Sequence, residues 1–270
     1  MQVSGLHTRM VETGPGDFSQ IGVYGLRWET NRQAPSFTPG RFYFENMRFL
    51  LTDKGSEWFA ETPLYYPERG DKLDLYGYYP YEATTFSDSP VLSFQVAADQ
   101  GEYSRYTHSD LCIAKEEGVM NSEKILPVRF YHMLSQLYFT IKGSDDFPVA
   151  ELLRSKLIIR NAILDVTYAL AMGIQGEVVS GEERGDIIPY GKWELHPENE
   201  SIFVGYKVII PPQVLGIDTY IELQTPSYTF ECKFEPSITL RSGVSRIITF
   251  LPEKSIFAFI TAEAPWVYDE

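Results

Sequence analysis

Cysteine and histidine are scarce in this chain, with two cysteines and four histidines in 270 residues. Two cysteines, Cys112 and Cys232, cannot build a disulfide framework or a multi-cysteine metal site. His7, His108, His132 and His196 are too scattered to suggest a metal cluster. Basic residues are outnumbered, 23 Lys plus Arg against 37 Asp plus Glu, which gives a net charge of −14 and a pI near 4.8. Such a chain repels nucleic acid at long range, so no nucleic-acid partner is expected. No apolar run approaches the roughly 20 residues that a spanning helix needs. The opening MQVSGLHTRM also lacks the charged, apolar and small-residue regions of a signal peptide. Taken alone that reads as cytoplasmic, and a trimmed mature chain reads the same way.

Catalytic signatures are missing too. There is no Gly-x-Ser-x-Gly elbow, phosphate-binding Gly-x-x-x-x-Gly-Lys loop, His-Glu-x-x-His or EF-hand loop. The acidic pairs Glu116-Glu117, Asp145-Asp146 and Glu182-Glu183 fall in expected loops or a helix end. A glycosidase needs two carboxyls facing each other about 5 to 10 Å apart, and adjacent residues in turns are ordinarily solvated surface. No enzymatic activity, catalytic residue, cofactor or metal is therefore expected. Arg-Gly-Asp occurs twice, at Arg69-Gly70-Asp71 and Arg184-Gly185-Asp186. All three residue types are common in turns, so the adhesive use of this tripeptide competes with a plain turn.

Aromatic residues are abundant, 18 Tyr and 17 Phe in a 14% aromatic chain, and they favour pleated, half-buried surfaces. Strict alternation points the same way, since a strand sends successive side chains to opposite faces. In SIFVGYKVII, Ile202, Val204, Tyr206, Val208 and Ile210 share one face. In YTFECKF, Tyr228, Phe230, Cys232 and Phe234 point inward. About a dozen such segments, separated by Gly, Pro, Asp and Asn clusters, predict an all-β protein of two tandem β-sandwiches. Helix is confined to two short stretches, SDLCIAKEEG, capped by Ser109 or Asp110, and PVAELLRS. In VRFYHMLSQLYFTI the inward set runs Val128, Phe130, His132 and Leu134, then Leu137, Phe139 and Ile141. That parity change predicts a bulge or a bend across a sandwich corner near Ser135-Gln136. His132, on an apolar face, reads as a hydrogen-bonded core histidine. The turn-rich KGSDDFPVAE then divides the chain into domains 1–145 and 146–270.

Tyr-Tyr-Pro occurs twice, at Tyr65-Tyr66-Pro67 and Tyr78-Tyr79-Pro80. Flat exposed tyrosines on one concave face would stack on sugar rings, which makes a glycan-binding surface module the alternative reading. Adjacent residues of a strand point to opposite sides, however. The segment therefore reads better as a hairpin with one row of rings packed inward.

Several ordered segments resemble the fimbrillin-like proteins, the pilin and pilus-tip subunits of Gram-negative anaerobes. They are Thr8-Arg9 with DFSQIGVYGL, EWFAETPLYYPERGDKLDLYGYYPY, DLCIAK, LPVRFYHMLSQLYFTIKG with His132 on the family's histidine, IIPPQ, and LRSGVSRIITF. This chain departs from the pattern at Tyr66 for Trp, Cys112 for Leu and Val244 for Lys. The resemblance implies transthyretin-like sandwiches and export as a lipoprotein to the cell outer membrane, with membrane contact only through a lipid anchor that this chain lacks. It further implies a cell-surface fimbrium in which the subunit is structural or sits at the tip as an adhesin. The implied partners are other pilin subunits, in a homo- or heteropolymer, and a host or bacterial surface ligand. In such pilins a protease, often arginine-specific, removes an N-terminal strand, and the C-terminal strand of another subunit fills the groove. Arg9 is then the candidate maturation site. Ile256, Phe257, Ala258, Phe259 and Ile260 form the candidate donor strand, with Ile256, Ala258 and Ile260 on one face and the phenylalanines on the other.

Overall fold

The computed structural model describes residues 7–10, 19–28, 37, 42–52, 57–67, 71–83, 91–121, 126–143, 149–252 and 257–266. Of these, 7–10, 174, 199–201, 252, 257 and 258 are described through their backbone alone. The chain is all-β, as its alternation predicts. The described residues form 22 strands, two short α-helices (Tyr103–His108 and Val149–Leu153) and a 3-10 stretch, Leu170–Gln175.

The first half builds an eight-stranded sheet. In spatial order its strands are Leu126–Val128, His7–Met10, Glu57–Ala60, Phe44–Leu51, Gln20–Arg27, Leu73–Tyr79, Cys112–Val119 and Tyr131–His132. The two outermost strands are separated in sequence by Arg129 and Phe130 alone, so the chain holds Val128 and Tyr131 within about 11 Å of each other. The sheet therefore curls until its ends approach. Ile21, Val23, Phe49, Trp58, Leu73, Leu75, Ala114 and Phe130 fill its inner face. Tyr24, Leu26, Tyr76, Tyr78 and Ile113 alternate with them and join a second, larger core outside. Leu73–Tyr79 is consequently buried along its whole length.

Beyond His132 the chain leaves this sheet. Ser135–Lys142 enters a five-stranded sheet, lying between an antiparallel neighbour, Asn199–Ile210, and a parallel one, Val244–Pro252. The parity change predicted near Ser135-Gln136 is this crossing. Phe257–Pro265 completes the sheet along one edge, paired antiparallel with Val244–Pro252. A four-stranded sheet containing Lys156–Ile163 and Tyr220–Gln224 packs against it. Phe139, Phe203, Phe250, Ile159, Ile221 and Phe234 belong to the shared core, with Phe234 and Phe259 edge to face at 4.5 Å. Ser135–Lys142 precedes the expected boundary at 145/146, yet all its strand partners follow it. Val91–Gln95 likewise pairs with Asp165–Ala169.

Three local expectations are corrected. SDLCIAKEEG is not a helix: Cys112–Val119 is a strand between Leu73–Tyr79 and Tyr131–His132, and the helix precedes it at Tyr103–His108. Burial of Cys112, Ile113 and Ala114 on both sheet faces overrides the helix-forming composition. In Asn199–Ile210 the expected single inward face breaks at Gly205, the extra residue of a bulge opposite Phe139 and Thr140. Phe203 is therefore inward in place of Ile202 and Val204, whereas Tyr206, Val208 and Ile210 keep the expected phase. Tyr228 is exposed, although Cys232 and Phe234 are buried as expected.

Buried glutamines close gaps between these sheets. The Gln100 amide donates to the Ile209 carbonyl at 2.7 Å and accepts from its N–H at 3.0 Å, as a neighbouring strand would. Gln213 does the same for Ile163, accepting at 2.8 Å and donating at 3.2 Å. The IIPPQ segment thus ends in a structural amide.

Gly205 gives a direct test. Its φ is +153° and an added Cβ would lie 1.7 Å from the Lys192 carbonyl oxygen, whereas one on Gly216 meets only Ser237 Cβ, at 3.7 Å. Thermal denaturation should show Gly205→Ala destabilised by at least about 3 kcal/mol. Gly216→Ala should stay within about 0.5 kcal/mol of the parent.

Candidate functional site

Strand geometry brings three polar side chains together where the curled sheet meets the second core. Cys112 and His132 are directly opposite each other on neighbouring antiparallel strands. Asp110, two residues before Cys112, falls on the same side. His132 Nδ1 lies 2.9 Å from Asp110 Oδ1 and 3.3 Å from Cys112 Sγ. Asp110 and Cys112 are buried. The Trp266 indole covers the imidazole, with ring centres 4.0 Å apart and planes inclined by 8°. His132 is thus the hydrogen-bonded core histidine expected from its apolar face.

The backbone around it is tied to the far end of the chain. Gly243 N–H donates to the Leu134 carbonyl at 2.8 Å, Trp266 N–H to the Gly243 carbonyl at 3.1 Å, and the Ser135 hydroxyl to the Arg241 carbonyl at 2.6 Å. Three of the segments that carry the family resemblance, DLCIAK, the His132 strand and LRSGVSR, converge here. Their shared role in this chain is a joint between sheets. Asp110 and Cys112 could not be grouped with His132 while their segment read as a helix, because residues two apart diverge on a helix and coincide on a strand.

Two strands bear on assembly. His7–Met10 lies between Glu57–Ala60, antiparallel, and Leu126–Val128, parallel, with Arg9 opposite Glu57 on one side and Pro127 on the other. Among the described residues, Phe257–Pro265 is paired on one side only. Of the candidate donor residues, Ile256 lies outside the described residues, and Phe257 and Ala258 are described through backbone alone. Phe259 packs toward the core and Ile260 is 60% exposed, so that pair faces opposite ways as expected.

The tyrosine platform does not exist. Tyr66, Tyr78 and Tyr79 are buried and only Tyr65, 52% exposed, meets solvent. Tyr78 packs in the outer core, its hydroxyl 2.7 Å from Asn46 Oδ1, and burial pushes that hydroxyl up to about 12. This removes the observation on which the glycan-binding alternative depended. Of the Arg-Gly-Asp tripeptides, the second is described throughout and the first only at its aspartate. Asp71 is buried and accepts from Arg27 at 2.5 Å and 2.7 Å, while Arg69 and Gly70 lie outside those residues. Arg184–Ile187 is a strand, and Asp186 accepts from Arg160 at 2.5 Å. Glu116 and Glu117 stand on the Cys112–Val119 strand and not at a helix end, Glu183 accepts from Gln95 at 2.8 Å, and Asp145-Asp146 lies outside the described residues.

The described residues are all-β, with the short strand His7–Met10 held between two neighbours. The fimbrillin-like family model matches residues 8–263. The chain belongs to the fimbrillin-like family. No curated protein matches it in sequence. Among solved structures it is similar to a candidate cell adhesion protein from Bacteroides uniformis, at 19% identity over 98% of both chains with a TM-score of 0.73. A second from Bacteroides ovatus gives 14% identity over 100% of both chains and a TM-score of 0.76. A fimbrial protein from Bacteroides vulgatus gives 11% identity over 92% of this chain and 93% of that one, with a TM-score of 0.54.

Two measurements probe the joint. His132→Ala removes a donor beside a buried carboxylate and should cost about 2–4 kcal/mol, read as a shifted denaturation midpoint, with partial recovery in His132→Gln. Cys112 and Cys232 are both free and buried, and burial pushes the Cys112 thiol well up and that of Cys232 to about 12. A thiol reagent at about pH 8 should leave the native chain unlabelled and titrate both cysteines after denaturation.

Proposed function

We propose that the chain is a non-enzymatic subunit of a cell-surface fimbrium, serving in the structure or as a tip adhesin, and assembled with other pilin subunits by exchange of β-strands. The observation that carries this reading is the position of His7–Met10, a four-residue strand paired on both sides. Cleavage at Arg9 and departure of that strand would leave Glu57–Ala60 and Leu126–Val128 as two facing edges with a gap one strand wide. An incoming strand gains main-chain hydrogen bonds from both edges and specificity from alternate side-chain pockets. Phe257–Pro265 suits the donor role, because it is nine residues long and, among the described residues, tethered along one side alone. Family membership and the fimbrial relative support the cell-surface location.

The finer parts of the proposal are two tandem transthyretin-like sandwiches divided near 145/146, export as a lipoprotein, and attachment to the outer membrane through a lipid anchor. A surface ligand of the host or of another bacterium belongs to the adhesin version of the role.

The test is limited digestion of the purified chain with an arginine-specific protease, followed by denaturing electrophoresis. Cleavage at Arg9 and a ladder of SDS-resistant polymers are expected, with both lost in Arg9→Ala. A chain lacking residues 257–270 should still be cleaved but should no longer donate. If the parent chain is neither cut at Arg9 nor polymerises, strand exchange initiated at this site is wrong. A glycan array should give no signal that depends on Tyr66, Tyr78 or Tyr79.

A further inference from the structure

We propose that Asp110, Cys112 and His132 form a binding site for one thiophilic divalent ion, zinc being the best match. The three side chains each offer one donor atom, and these atoms all lie within 4.8 Å of one another. A tetrahedral zinc ion, with bonds of about 2.0–2.1 Å to nitrogen or oxygen and about 2.3 Å to sulfur, holds its donors roughly 3.3–3.6 Å apart. The spacings of 2.9 Å and 3.3 Å about His132 Nδ1 are within a few tenths of an ångström of that. The arrangement comes from backbone register. Cys112 and His132 are cross-strand partners and Asp110 precedes the Cys112–Val119 strand by two residues, so three chemically different donors meet beside Nδ1 of His132.

Charge favours the ion as well. One carboxylate, one thiolate and a neutral imidazole sum to −2, which a divalent ion cancels, and a neutral assembly suits a buried position. Imidazole with thiolate selects zinc over the hard cations magnesium and calcium. The Trp266 ring, stacked on the imidazole, fixes the plane from which Nδ1 is presented. On binding, Cys112 Sγ loses its proton to solvent, and the imidazole carries its single proton on Nε2 so that the Nδ1 lone pair reaches the metal. One proton is released per ion bound. The three side chains supply three of the four positions of a tetrahedral ion.

The experiment uses the intact folded chain, stripped with a chelator and titrated with Zn²⁺ by calorimetry and with Co²⁺ by absorption. Expected are one ion per chain, a dissociation constant below about 1 μM, release of about one proton judged from buffers of different ionisation enthalpy, and a thiolate-to-cobalt charge-transfer band. Cys112→Ser should abolish the band and weaken binding at least about 100-fold, whereas Cys232→Ser should leave both unchanged. If Cys112→Ser does not fold, the band in the parent chain and its survival in Cys232→Ser decide the question. No stoichiometric ion, binding without a charge-transfer band, or a band that survives Cys112→Ser or disappears in Cys232→Ser would each overturn the site and leave a purely hydrogen-bonded triad.

Discussion

The structure depends on a sheet that must be apolar on both faces. Curling brings the two ends of the eight-stranded sheet together and encloses one core, while the outer surface of the same strands supports another. Neighbouring residues of Leu73–Tyr79 and Gln20–Arg27 therefore serve different cores. Tyr76 and Tyr78 look outward to the second half of the chain, and Leu73, Leu75 and Tyr79 look inward. At roughly 25 cal/mol for each Å² of apolar surface removed from water, a central strand buried on both sides is worth far more than an edge strand of equal length. It also couples the two halves, because no side of this strand can be repacked without disturbing a core.

Such a layout leaves polar backbone stranded where strands end against a core, and the chain answers with side-chain amides and hydroxyls. Gln100 and Gln213 each satisfy both main-chain groups of a single residue. Gln136 links the Tyr106 hydroxyl, at 2.7 Å, to that of Ser245, at 3.0 Å. At the crossing between sheets Asp110 and His132 pair side chain to side chain, at 2.9 Å. A buried polar group left without a partner costs about 1–3 kcal/mol, so these residues matter more through what their loss exposes than through the bonds they form.

Much of the fold could be read in the sequence, for a physical reason. Half-buried strands such as Thr229–Cys232 advertise themselves by alternation, and the parity change at Ser135-Gln136 located a sheet crossing. Strands buried on both faces do not alternate, which is why Cys112–Val119 passed for a helix. The bulge at Gly205 was invisible because glycine at a bulge and glycine within a strand look alike until the partner strand is known. The site was legible only in part. His132 stood out as polar among apolar residues, but its partners Asp110, Cys112 and Trp266 are set by register and by contacts distant in sequence. The buried tyrosines Tyr66, Tyr78 and Tyr79 are scaffold, but the expected hairpin with one inward row does not form: Leu73–Tyr79 pairs with Gln20–Arg27 and Cys112–Val119, and Tyr78 and Tyr79 are buried in different cores.

One feature of the five-stranded sheet bears on when the chain folds. Its central pair, Ser135–Lys142 with Val244–Pro252, is parallel and joins residues 109 positions apart. Contacts of such separation carry a large loop-closure cost and form late. The sheet cannot close until the chain has been made at least as far as Val244–Pro252. Until then Ser135–Lys142 presents an open edge, so the last strands decide the moment at which a growing chain stops being available to strands other than its own.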